Sequence, residues 1–133
     1  MLLSSVYSLF LLFTIAFAAP LTGRQEKVNN VKCTGGNALD FHTVNVAQLQ
    51  ICGSIAGTIQ KCQGAPTSTT GESGNVRFTI KPVEAGATIN ISKGRWEQGI
   101  RAAFAVCGQD KPFTATFVGG ASTGDVNVTL EQI

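Results

Sequence analysis

The sequence has one histidine, one methionine, one tyrosine and one tryptophan in 133 residues. A single His, and four cysteines without a Cys-x-x-Cys pair, argue against a zinc site. One Tyr and one Trp leave few platforms on which bases could stack. Charge is thin as well: ten Lys and Arg stand against eight Asp and Glu, a net +2, with charged residues at 14%. That balance argues against nucleic acid or an anionic membrane as partner. Nothing in the sequence marks a cofactor, and no nucleophile is set in a recognisable catalytic context.

What is present begins with a leader. Leu9 to Phe17 is apolar but too short to cross a bilayer, and it runs into Ala16-Phe17-Ala18, a small-x-small cleavage pattern. Residues 1–18 are therefore expected to be a secretory signal peptide, cut after Ala18 or one residue later, although no Lys or Arg precedes the apolar run. The bland alternative is a buried first helix. No second apolar run follows, so stable membrane insertion is not expected. Residues 19–32 are polar and aperiodic and read as a flexible lead-in or short propeptide, with Arg24 either a processing point or part of a disordered terminus. Residues 33–133 then form the folded domain. Its four cysteines, an even count in an oxidising compartment, point to two disulfides.

The clearest element is Ser92 to Gly108. Trp96, Ile100, Ala103, Phe104 and Cys107 recur at helical spacing, Ser92 can N-cap, and Gly108 sits where a helix ends. Upstream, Ala38 to Val44 alternates as a strand. It would place Asp40 and His42 on one face, either as a catalytic pair or as a satisfied surface pair, and the second is the better reading. Asn45 to Cys62 reads as a first helix, N-capped by Asn45 with Gln48 at capping-box spacing and buried through Val46, Leu49, Cys52, Ala56 and Ile59. Gly53 and Gly57 weaken it by roughly 1 kcal/mol each but form a small-residue row for close packing.

Residues 63–74 read as a polar loop whose Ser/Thr run beside Pro66 could take O-linked sugars. Val76 to Pro82 is a clean strand, Thr88 to Ser92 a second with Ile89 and Ile91 inward, Phe113 to Phe117 a further strand and Val126 to Leu130 the last.

The resulting order is strand, helix, strand, strand, helix, strand, strand. Alternating strands have one wet face, and two amphipathic helices would cover the other. The expected fold is an α+β two-layer sandwich: an antiparallel sheet of four or five strands in split βαβ order, two helices on one face, two disulfides. In that layout a first helix ending at Cys62 returns beside Cys33, and antiparallel helices bring Cys52 level with Cys107. The expected pairs are Cys33–Cys62 and Cys52–Cys107, with the inter-helix bridge the more important. Asn90 and Asn127 head glycosylation sequons and should point outward from the sheet. Arg77 and Lys81 on the wet face, with Arg95 and Arg101 on the outer face of the second helix, are the candidate partner surface. For each, ordinary solvated charge is the competing explanation.

A cysteine before a strand, QLQICGSIAGTIQKC on the first helix and GRWEQGIRAAFAVCG on the second resemble the corn-smut viral killer toxin and the killer-toxin-like small secreted proteins of plant-pathogenic fungi. The resemblance covers residues 33–108 and rests on cysteine and helix spacing; the toxin subunits carry more cysteines than the four here. It implies a compact sandwich with disulfide-linked helices. It also implies a non-enzymatic effector, secreted to the apoplast or host interface, that binds a host plant protein or a second fungal effector. No catalytic residues transfer with it. The alternatives are a killer-type or antimicrobial toxin acting on competing cells and, more remotely, a small enzyme built on His42 and Asp40.

Overall fold

A computed structural model describes residues 27–55 and 61–133. The expected signal peptide, its cleavage point, Arg24 and the first-helix positions Ala56, Gly57 and Ile59 lie outside those residues. Five strands, β1 (Val28–Cys33), β2 (Thr69–Ser73), β3 (Val76–Pro82), β4 (Phe113–Gly120) and β5 (Asp125–Gln132), form one sheet in the order β1-β4-β5-β3-β2. Every neighbouring pair is antiparallel. It follows that β1 and β2, joined through helix α1 (Phe41–Gln50), run parallel with three strands between them. Likewise β3 and β4, joined through helix α2 (Lys93–Cys107), run parallel with β5 between them. This is the expected split βαβ sandwich.

The core lies between the sheet and the two helices. Val76, Phe78 and Ile80 of β3, Phe113, Ala115 and Phe117 of β4, and Val126, Val128 and Leu130 of β5 are all buried on that side. Trp96 of α2 sits among them, edge-on to Phe78 with ring centroids 5.2 Å apart and 5.7 Å from Phe117. Its indole Nε1 donates to the Gln48 carbonyl at 3.1 Å. That carbonyl lies in the last turn of α1, where helix carbonyls run out of intrahelical donors. The core tryptophan thus packs the sheet and ties the two helices together.

Two glycines set how closely the layers approach. A Cβ on Gly71 of β2 would lie 2.2 Å from the Ala47 carbonyl oxygen of α1, and one on Gly99 of α2 would lie 2.4 Å from the Phe117 ring. No side chain fits at either distance without displacing its neighbour. Close packing therefore occurs here, not at Gly53, which is a left-handed turn residue with open space around it.

α2 matches its sequence reading in full: Ser92 Oγ accepts from the Arg95 N–H, and Gly108 follows Cys107 at the C-cap. The first helix does not. The strand expected over Ala38–Val44 is absent, and α1 starts at Phe41 because Asp40 caps it, accepting from the Thr43 N–H. The buried residues of α1 are Val44 and Ala47, with Ile51 beyond them, while Leu49 is exposed. Beyond Gln50 comes a single 3-10 turn, Ile51–Gly53, in which Cys52 takes positive φ, as does Ser54 directly after it. A continuous helix to Cys62 would hold Cys52 and Cys62 about 15 Å apart; their Cα atoms are 5.2 Å apart.

Two further strand assignments change. The lead-in expected to be flexible to residue 32 contains β1, and residues 63–74, expected to be loop, contain β2. Thr88–Ser92 has Ile89 and Ile91 buried as expected, but it forms only isolated bridges, Ile89 to Ala121 and Ser92 to Lys61, and is not a strand of the sheet.

The disulfides are Cys33–Cys107 and Cys52–Cys62, replacing the expected Cys33–Cys62 and Cys52–Cys107. Each difference has its own cause. Cys33 is the end of β1 and stands opposite Phe113, the first residue of β4, so it lies beside the end of α2, which feeds β4. Cys52 follows α1 and is not an early residue of a long helix, so it is free to pair with Cys62 instead of Cys107. One bridge clasps the sheet edge to α2 and the other joins the 3-10 turn after α1 to Cys62. Neither links helix to helix, whereas both the expected layout and the resemblance implied an inter-helix bridge.

Candidate functional site

Asp40 and His42 do not form a pair on a strand. Asp40 Oδ2 accepts from the Thr43 N–H at 3.0 Å and from the Thr43 hydroxyl at 2.9 Å, and His42 is an exposed residue of the first turn of α1. The Thr43 backbone N–H, then its hydroxyl, holds the Asp40 carboxyl below the usual carboxylate range. A carboxyl with a lowered folded-state value stabilises fully above its unfolded value, and that stabilisation is lost as pH falls through the lowered one. Asp40→Ala is therefore expected to lower the urea midpoint at neutral pH. The gap to the parent chain should close in acid, as paired denaturation curves across that range would show.

The face of the sheet away from the helices is polar and ordered by register. Lys32, Thr114, Thr129, Thr79 and Thr70 stand opposite one another across all five strands. A second row runs Asn29, Thr116, Asn127, Lys81. Thr116 Oγ1 donates to Asn127 Oδ1 at 3.1 Å. Two depressions, of about 320 and 280 Å³, lie on this face and share Asn127 and Thr129 as lining.

The four cations expected to form a partner surface have separate roles. Arg77 is held between Glu72 and Glu131, 3.4 Å from each. Arg95 Nη1 donates to the Val118 carbonyl at 2.5 Å, and a Cβ on Gly119 would touch its guanidinium, so it braces the end of β4. Lys81 is exposed and faces Asn127 in the sheet register. Arg101 is exposed on α2. The structure does not bring the four together.

Arg101 instead lines a groove of about 190 Å³ between the helices, with Asn45 and Gln48 of α1, Glu97, Ile100 and Phe104 of α2, and Gln109. Phe41 precedes Asn45 by four residues and Leu49 follows it by four, so all three share one face of α1. Both apolar residues are open to solvent, Phe41 by 61%. This patch combines an aromatic, an aliphatic, an arginine and amides on two rigid helices. Sequence reasoning missed it because Asn45 and Gln48 fit a helix cap, which Asp40 supplies instead. The one available signal was Phe41, directly after a residue competent to cap a helix.

The sequons also diverge. Asn127 is exposed on the central strand β5. Asn90 does not point freely outward. In the amide orientation that satisfies both of its ends, its Nδ2 donates to the Gly120 and Ala121 carbonyls at 3.2 and 3.3 Å.

No protein-family description, no curated protein and no solved structure matches this chain.

Proposed function

We propose that the protein is a secreted effector that acts by binding, a small disulfide-clasped domain exported by a fungus to engage a host plant protein or a second effector. The observation that carries the binding reading is the helix-side patch. Exposed Phe41 and Leu49 flank an interhelical groove containing Arg101, on elements held by Trp96 and the core. Aromatic and arginine side chains on rigid supports are the usual anchors of protein interfaces. The extracellular reading is supported by the leader-like residues 1–18 and by two disulfides, which persist in oxidising compartments. The effector role rests on the resemblance of the cysteine spacing to that of killer-toxin-like proteins; the helix part of that resemblance does not enter, because α1 ends at Gln50 and neither disulfide joins the two helices.

The test is capture from host extracellular fluid, comparing the secreted protein with Phe41→Ala/Arg101→Glu and with Lys81→Glu on the opposite face. Loss of an anchor pair of at least 2 kcal/mol corresponds to about 30-fold weaker binding. Both variants should stay within about 0.5 kcal/mol of parental stability, since all three side chains are exposed. Retention by Lys81→Glu and loss by the helix-side variant is the expected pattern; the reverse would move the interface to the sheet. Growth inhibition of fungi or bacteria by the purified protein alone would favour a killer-type toxin.

A further inference from the structure

We propose that Asn127 carries an N-linked glycan on the polar face of the sheet and that Asn90 does not. This rests on the reading that the chain passes through the secretory pathway. Both residues head Asn-x-Ser/Thr sequons, Asn90-Ile91-Ser92 and Asn127-Val128-Thr129, so sequence alone treats them alike. Their surroundings do not. Asn90 is half-buried, its backbone N–H donates to the Gly120 carbonyl at 2.9 Å, and its side-chain Nδ2 is aimed at the Gly120 and Ala121 carbonyls. A sugar on that nitrogen would replace one of its two N–H groups and wedge between the 88–92 segment and the β4–β5 turn. It would leave a carbonyl without its donor in a partly buried site.

Asn127 is free of these constraints. It is exposed at the middle of the sheet, and among the described residues only its Oδ1 is engaged, by the Thr116 hydroxyl. Its Nδ2 can be substituted without breaking a protein hydrogen bond. The two depressions that meet at Asn127 and Thr129 offer a first sugar room, with Lys32 and Thr116 on one side and Thr79 and Lys81 on the other. Those side chains match sugar hydroxyls in hydrogen-bonding character.

The donor is a lipid-diphosphate-linked oligosaccharide. The bond from sugar C1 to the diphosphate oxygen breaks, with its electron pair leaving on the lipid diphosphate. A C1–Nδ2 bond forms, and one amide proton passes to base. A glycan there covers the polar face and leaves the helix side as the open surface.

The experiment is glycopeptide mapping of the full chain secreted from a eukaryotic host, with enzymatic release of N-glycans marking each formerly occupied Asn as Asp. The mark is expected at residue 127 and absent at residue 90. The electrophoretic shift on deglycosylation should vanish in Asn127→Gln and in Thr129→Ala, which removes the sequon while leaving the asparagine. Sugar at Asn90, at both sites, or at neither in protein recovered from the medium overturns the assignment while leaving secretion intact. A chain retained in the cell with residues 1–18 attached overturns the secreted reading, and the assignment with it.

Discussion

A Cys33→Ala/Cys107→Ala double variant is expected to lose about 4.4 kcal/mol of unfolding free energy by the chain-entropy estimate for its 74-residue separation. The same estimate for Cys52–Cys62, with a separation of 10, gives about 2.7 kcal/mol. Small domains unfold with about 5–15 kcal/mol in total, so the first loss leaves the fold near its limit. Topology adds to the difference. β1 is an edge strand, paired only with β4, and its pairing is interrupted by a register shift between Asn29 and Lys32. The bridge to α2 anchors the end of that strand. Urea denaturation of the two double variants should show the lower midpoint for Cys33/Cys107. A lower midpoint for Cys52/Cys62 would mean that the edge strand is not what the long bridge secures.

Trp96→Ala is expected to cost about 3–5 kcal/mol, the range for deleting a large aromatic from a packed core. Trp96 is completely buried, and its ring is shared between Phe78 and Phe117. Its indole N–H adds a polar component, since without it the Gln48 carbonyl loses a donor inside the molecule. Trp96→Phe separates the two effects. It keeps an aromatic in the core and removes the N–H, so its cost should fall in the about 1–3 kcal/mol range of an unsatisfied buried acceptor. Equal destabilisation by both variants would assign the whole effect to the hydrogen bond and none to packing.

The parts of this fold legible in the sequence are those where apolar residues face the core at a regular period. α2, β3, β4 and β5 each place three or more buried side chains at the right spacing, and each was expected within a few residues. β2 was not, because its only buried residue is Gly71, whose missing side chain lets α1 lie against the strand. A strand with glycine inward carries no hydrophobic signal. β1 escaped because its irregular pairing, with Asn30 at positive φ, spaces Val28 and Val31 three apart and breaks the two-residue alternation. The start of α1 was misplaced because Asp40 and Asn45 both suit an N-cap, and only the Thr43 contacts decide between them. The element order nevertheless came out the same, since two unrecognised strands replaced two wrongly assigned ones.

The surface was less legible than the fold. Cation type and strand alternation grouped Arg77, Lys81, Arg95 and Arg101, but type does not reveal commitments. Arg77 is held by two glutamates and Arg95 by a carbonyl. Only the three-dimensional arrangement shows Arg101 beside Phe104 and Gln48, in a groove that two distant segments create.

The domain is clasped by one disulfide from sheet edge to helix and by another from the 3-10 turn after α1 to Cys62. Non-reducing peptide mapping of the secreted protein tests this arrangement most directly. Trypsin leaves Cys33 and Cys52 on one peptide, because no Lys or Arg lies between Cys33 and Lys61; a second protease cutting before Asp40 separates them. Cross-linked peptides joining Cys33 to Cys107 and Cys52 to Cys62 are expected, with an N-terminus beyond residue 18. Linkage of Cys52 to Cys107 and Cys33 to Cys62, free thiols, or an intact leader would contradict it.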